Sequence, residues 1–105
     1  MSISYSQALS ALHSSFIAHT SEGTVELRLI EAKELPRKGL SDEFRTPMLL
    51  IFSAPSSPIL AQDNYYCDHT ILGRHFWTLT PVIAPTNAPQ TVKNIPLMFY
   101  QAIFN

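Results

Sequence analysis

The residues best suited to metal chemistry lie in one short segment of the sequence. Cys67-Asp68-His69 stands on one side of a turn at Leu72-Gly73, and His75 stands on the other. Zinc accepts Cys, His and Asp ligands, and strand alternation puts Cys67 and His69 on one face. The segment lacks the paired ligand spacing of known zinc sites. We therefore favour a buried cysteine and a histidine bonded to backbone, keep Cys67, His69 and His75 as candidate ligands, and expect no metal or other cofactor.

Catalytic signatures are missing, although the raw material for a Ser-His-Asp site is present. Serines, four histidines and three aspartates occur, but the G-x-S-x-G nucleophile elbow does not. Asp42 and Glu43 are adjacent, so on a strand they would face opposite ways. The three glycines, at positions 23, 39 and 73, are too far apart for a phosphate-binding loop. We predict a protein that is not an enzyme.

Aromatic residues indicate a different chemistry, that of binding. Tyr66, Phe76 and Tyr100 fall in segments with strand-like alternation, and Phe104 follows near the end. If they point outward, they form an aromatic patch of the kind that anchors protein interfaces. The other interpretation is that they fill the core, and the pattern leaves both open.

Composition restricts the class of partner. Charged residues make up 14% of the chain, against about 25% in soluble domains, which favours a surface partly covered by another chain. The basic residues form no stripe of the kind that binds nucleic acid. No apolar run approaches the roughly 20 residues needed to span a membrane. The N-terminus has no signal-peptide pattern, so we expect cytoplasmic synthesis, with the final location open.

The periodicity predicts one domain over residues 1–105. A capping box at Ser4 and Gln7 begins a helix over about 5–13, whose apolar face includes Ala8 and Leu12. This helix is either a lid on the core or a docking element. Strands are expected at 25–35, 44–54, 64–70, 75–82 and 97–104, and a Pro-rich loop at 84–96.

These elements predict a mainly β fold, a small antiparallel barrel or sandwich of five or six strands with one N-terminal helix. Trp77 shares a strand face with Leu79 and is expected in the core. The strand from Leu97 to Phe104 is apolar on both faces. It either closes a barrel against the strand from Val25 to Leu35, or it is an edge that pairs with another chain.

The sequence also resembles a family of small bacterial proteins with a domain of unknown function. The resemblance is carried by an apolar strand at 49–52, Tyr65-x-x-x-His69, Leu72-Gly73, Pro81-Val82 and the ending Tyr100-x-Ala102-x-Phe104-Asn105. The first half fits through Phe16 and the strand that ends in Glu-Leu-Pro. Such proteins are often encoded beside phage-tail-collar or tail-fibre-like proteins, which implies a fibre-associated role without implying any catalytic residue.

The functional expectation is a structural or interaction protein, a cap, adaptor or assembly factor for a tail-fibre-like filament or particle. Its partner is expected to be a fibre or collar-type protein, or a second copy in a homo-oligomer, and not nucleic acid. The alternatives are a small-ligand-binding barrel and a minor hydrolase.

Overall fold

The computed structural model describes residues 3–35, 47–85, 91–92 and 95–104. Within these ranges the order of elements is α1 (Tyr5–Ser10), β1 (Ser15–Thr20), β2 (Gly23–Glu34), β3 (Met48–Pro55), β4 (Asp63–His69), β5 (Gly73–Val82), β6 (Thr91–Val92) and β7 (Ile95–Phe104). No helix in the described part of the chain has the length and apolar character needed to cross a membrane.

Six of the strands close into an antiparallel barrel. Their order is β3-β2-β1-β4-β5-β7, and β7 returns to pair with β3, while β6 pairs only with the first residues of β7. The predicted small antiparallel barrel with one N-terminal helix is confirmed. The last strand, β7, closes the barrel, but its expected pairing with the strand from Val25 to Leu35 was wrong. β7 pairs with β3 over 97–104 and with β5 over 99–101, whereas β2 lies between β1 and β3.

The strand β1 was missed by the sequence analysis, which assigned no strand to residues 15–20. The capping box forms as expected, since the Gln7 amide donates to Ser4 Oγ at 3.1 Å and the Ser4 amide to Gln7 Oε1 at 2.8 Å. The helix ends at Ser10, earlier than expected, because His13 adopts a left-handed conformation with φ 68°. That turn lets the chain start pairing with β2, where the Leu29 amide donates to the Ser14 carbonyl at 3.1 Å.

The barrel interior is filled by the inward half of each strand. The β2 pattern Val25, Leu27, Leu29 alternates buried and exposed positions, as a half-buried strand must. Other inward side chains include Phe16, Phe52, Cys67, Trp77, Leu79 and Tyr100, each no more than 3% exposed. Ala8 of the helix, with Ile3 before it and Ala11 after it, packs into the same core, and α1 is therefore a lid on that core.

The strand β3 is covered on both faces, as its continuous apolar run predicted. Its inward residues are fully buried, and outward Ile51 and Ser53 are only 6% and 8% exposed. Residues 44–46 of the predicted strand lie outside the described residues. So do 86–90 and 93–94 of the predicted Pro-rich loop, within which Thr91 and Val92 pair with Pro96 and Ile95.

Candidate functional site

The outward side chains of three adjacent strands form the candidate site. Ala18, Cys67 and Trp77 point into the core, so their neighbours in sequence point out. The strand register aligns these neighbours in rows: His19 of β1 lies opposite Tyr66 of β4, Tyr66 opposite Phe76 of β5, and Asp68 opposite Arg74. We call this group the outer patch, and its members are His19, Tyr66, Asp68, Arg74 and Phe76.

Two exposed aromatic rings lie at the centre of the outer patch. The ring centroids of Tyr66 and Phe76 are 4.6 Å apart, yet the residues remain 49% and 56% exposed. The Arg74 guanidinium lies 5.2 Å from the centroid of the Tyr66 ring, within the range of a cation–π contact. Exposed rings held in a fixed arrangement are the features that anchor protein interfaces, because little side-chain entropy remains to be lost on binding.

The charges of the outer patch compensate one another. Arg74 donates from Nε to Asp68 Oδ1 at 2.8 Å and from Nη2 to Oδ2 at 3.0 Å. His19 Nε2 lies 2.6 Å from the same Oδ2 atom. These hydrogen bonds, that of Arg74 above all, hold the pKa of Asp68 well below its usual range. The carboxylate therefore stays ionised and ties β1, β4 and β5 together beside the aromatic pair.

A second polar group, Ser14 with His69, has the composition of a catalytic dyad but not its proton arrangement. The amides of Ile71 and Leu72 both donate to His69 Nδ1 at 3.1 Å, so Nδ1 carries no proton in the neutral ring. His69 Nε2 must then carry it, and it donates to Ser14 Oγ at 2.8 Å. The hydroxyl in turn donates to the Ala11 carbonyl at 2.5 Å. A base that already holds its proton toward the serine cannot activate that hydroxyl as a nucleophile.

The three candidate metal ligands share the inner face, but each is engaged with the protein. Cys67 is fully buried, its Sγ lies 3.6 Å from the Tyr65 carbonyl oxygen, and burial raises the pKa of its thiol to about 12. Both ring nitrogens of His69 are used as just described, and His75 Nε2 donates to the Leu72 carbonyl at 2.9 Å. Among the residues that the structure describes, no three His, Cys, Asp or Glu side chains are grouped as metal ligands.

The four residues expected at an interface have different positions. Tyr66 and Phe76 point outward, as one of the two interpretations required. The prediction that Tyr100 lies at an interface was wrong, since Tyr100 is fully buried and its hydroxyl accepts a hydrogen bond from the Leu60 amide at 2.9 Å. Phe104 is half-buried and packs on the core, with its ring centroid 5.3 Å from that of Trp77.

His19 and Arg74 of the outer patch were missed by the sequence analysis, and Asp68 was named there only within the metal-candidate segment. His19 belongs to β1, which was not expected as a strand, so its position beside Tyr66 could not be predicted. Arg74 lies between the strands predicted at 64–70 and 75–82, so it was assigned to no strand. Its position opposite Asp68 follows from the register of a hairpin closed at His69 and Gly73. The turn at Leu72-Gly73 was the sequence feature from which this register could have been predicted.

Comparison with known proteins shows one relationship. The chain belongs to the family described as a domain of unknown function (DUF6916), whose family model matches residues 3–104. No curated protein and no solved structure matches it.

Proposed function

We propose that this member of a domain-of-unknown-function family is a non-enzymatic interaction protein, which binds a protein partner through the outer patch. The observation that carries the proposal is the tilted, half-exposed pair of Tyr66 and Phe76, whose ring centroids lie 4.6 Å apart. Fully burying a large apolar side chain contributes about 1.5–3 kcal/mol. About half of each ring is exposed, so covering it is worth about 0.8–1.5 kcal/mol per residue. The two rings together therefore contribute about 1.5–3 kcal/mol, which reaches the size of one interface hot spot.

The structure around the pair favours binding by a preformed surface. Strand hydrogen bonds fix the backbone on both sides of Tyr66, and Arg74 is held in place by Asp68. Because Asp68 is already paired with Arg74, a partner need not supply a counter-charge for it. An apolar or aromatic partner surface with a polar rim suits this arrangement best.

The partner that we propose is a fibre or collar-type protein, with this barrel as a cap, adaptor or assembly factor of a tail-fibre-like particle. Support comes from the resemblance to proteins encoded beside such fibre proteins and from the low proportion of charged residues, 14%. The Ser14–His69 pair, whose proton arrangement excludes nucleophile activation, supports a role without catalysis.

The test is a quantitative affinity purification from the native source with three matched baits. The baits are the unmodified protein, the double variant Tyr66→Ser with Phe76→Ser, and the control Ile59→Ser. Ile59 is a suitable control because it is 65% exposed and apolar but lies in the loop between β3 and β4. We expect a fibre-type protein to be recovered with the unmodified and control baits and lost with the double variant. Equal recovery with all three baits would reject the outer patch as the binding surface.

A further inference from the structure

The turn between β4 and β5 is held by a side chain as well as by strand pairing. The ladder between the two strands closes at His69 and Gly73, and the turn between them includes Ile71 and Leu72. The amides of Ile71 and Leu72 both donate to Nδ1 of His69, each at 3.1 Å. Both hydrogen bonds need the lone pair of Nδ1. The turn therefore depends on the neutral form of one histidine ring.

The other ring nitrogen of His69 connects β4 to the end of the helix lid. Nε2 donates to Ser14 Oγ at 2.8 Å, and this hydroxyl donates to the carbonyl of Ala11, the C-cap of α1. Nε2 carries a hydrogen in the charged ring as well as in this neutral tautomer. Protonation therefore keeps the connection to the helix, whereas Nδ1 gains a hydrogen that points at two N–H groups. Only the bonds to the turn are broken.

The described contacts of the other three histidines are compatible with a charged ring. Nε2 of His75 donates to a backbone carbonyl, and Nε2 of His19 lies 2.6 Å from a carboxylate oxygen of Asp68. A charged ring keeps both contacts, because a carbonyl and a carboxylate are acceptors. His13 is exposed, so water can solvate its charge. The contacts to Nδ1 of His69 differ, because they reverse from attraction to repulsion on protonation.

The surroundings of the His69 ring also favour its neutral form. His69 is 9% exposed, and among the described residues no Asp, Glu, Lys or Arg side chain is buried. Asp68 and Arg74, which flank the turn, pair with each other on the outer face. The titratable side chains that share the interior in the described structure are Tyr5, Tyr65, Cys67, His75 and Tyr100. Burial, without a contribution from a charged neighbour, lowers the pKa of His69 from its ordinary 6.5.

We propose that His69 is a pH-sensitive switch, whose neutral ring holds the turn at residues 70–72 and whose protonation releases that turn while the barrel stays folded. The turn carries Ile71, which is 85% exposed, and Leu72, which packs against the core. No strand pairing involves the ring of His69, so the turn can open while the ladders remain. The inference goes beyond the proposed function, because it requires no partner and no contact of the aromatic pair.

Amide hydrogen exchange measures the switch in the unmodified protein, as the protection of each amide relative to its intrinsic exchange rate at the same pH. If the ring of the open turn has the ordinary pKa of 6.5, acidification from about pH 8 to about pH 5 raises the open population by up to about thirtyfold. The amides of Ile71 and Leu72 should lose protection by severalfold up to this limit. The amide of Cys67, in a strand paired on both sides, should stay far better protected than either.

The matched variant is His69→Asn. Its carboxamide oxygen stands near the position of Nδ1 and accepts both amides without titrating, as in an Asx-turn. We expect the protection of Ile71 and Leu72 in this variant to be the same at both pH values. The control is His13→Asn, since asparagine tolerates the left-handed φ of 68° at this exposed position. The control should respond to pH as the unmodified protein does.

Nitrogen-15 NMR of the imidazole rings provides a second measurement, which holds even if His69→Asn fails to fold. We expect His69 to be the Nε2–H tautomer at neutral pH and its titration to coincide with the loss of protection at Ile71 and Leu72. Unchanged protection of both amides on acidification, or a pH response that persists in folded His69→Asn or is lost in His13→Asn, would overturn the proposal. So would equal protection of Cys67 and the turn amides at low pH, which would mean that the turn opens only when the whole barrel unfolds.

Discussion

The replacement of Trp77 by alanine tests the assignment of the two faces of β5. Trp77 is 3% exposed, and its ring contacts those of Phe16 at 5.8 Å, Phe52 at 6.4 Å and Phe104 at 5.3 Å between centroids. Removing a buried tryptophan costs about 3–5 kcal/mol, because apolar burial is lost and a cavity remains. Domains of this size are stable by only about 5–15 kcal/mol, so the loss should be a large fraction of the total.

The indole nitrogen of Trp77 affects how much each substitution at this position should cost. Trp77 Nε1 is buried without a hydrogen-bond partner in the described structure, so a substitution there breaks no hydrogen bond. Trp77→Phe removes the unpaired donor, which offsets part of the lost packing, and should cost only about 1–2 kcal/mol. Phe76→Ala, on the exposed face of the same strand, should cost less than about 1 kcal/mol.

Urea unfolding followed by circular dichroism measures all three variants. Fluorescence is unsuitable because Trp77 is the only tryptophan. The expected order of destabilisation is Trp77→Ala, then Trp77→Phe, then Phe76→Ala. A cost below about 1.5 kcal/mol for Trp77→Ala, or a larger cost for Phe76→Ala, would refute the face assignment. Equal costs for Trp77→Ala and Trp77→Phe would refute the argument about the unpaired donor.

Three further predictions concern buried polar groups. Burial lowers the pKa of His69 from its ordinary 6.5. The free energy of unfolding should therefore be highest above about pH 6.5 and should decrease as the pH falls from there to the pKa of the folded state. Urea unfolding of His69→Gln should lack this pH-dependent decrease. Tyr100→Phe leaves the Leu60 amide unpaired, so unfolding free energy should drop by about 1–3 kcal/mol, and wild-type stability would contradict the reasoning. The Cys67 thiol should react with a disulfide reagent only after denaturation; rapid native labelling would show an accessible thiol.

The strands could be predicted where alternation was regular and uninterrupted. The β4–β5 hairpin follows from inward Tyr65, Cys67, Trp77 and Leu79, separated by a turn at Gly73, whose φ of 81° favours glycine. The strand β1 could not be predicted, because Phe16 falls at helical spacing from Leu12 and so extends the apparent helix. The left-handed turn at His13 ends that helix, and a local periodicity does not reveal it.

The outer patch was predictable only in part, for a similar physical reason. Once Cys67 and Trp77 are assigned to the core, the alternation of the hairpin sends Tyr66 and Phe76 outward. On β7 the alternation does not distinguish an inward from an outward face, because Phe99 and Tyr100 face opposite ways yet are 3% and 0% exposed. Apolar residues on both faces of a strand do not show which face meets solvent. The contact of His19 with Asp68 needs the pairing of β1 with β4, which joins segments 49 residues apart.

The most direct test of the proposed function is hydroxyl-radical footprinting of the protein alone and in complex with the partner recovered by the affinity purification. Tyr66 and Phe76 are about half exposed and should be oxidised readily in the free protein. Fully buried Tyr100 provides an internal reference in both states. The proposal predicts that oxidation of Tyr66 and Phe76 falls severalfold in the complex while exposed Ile59 is unaffected. Unchanged oxidation of both rings in a verified complex would contradict it.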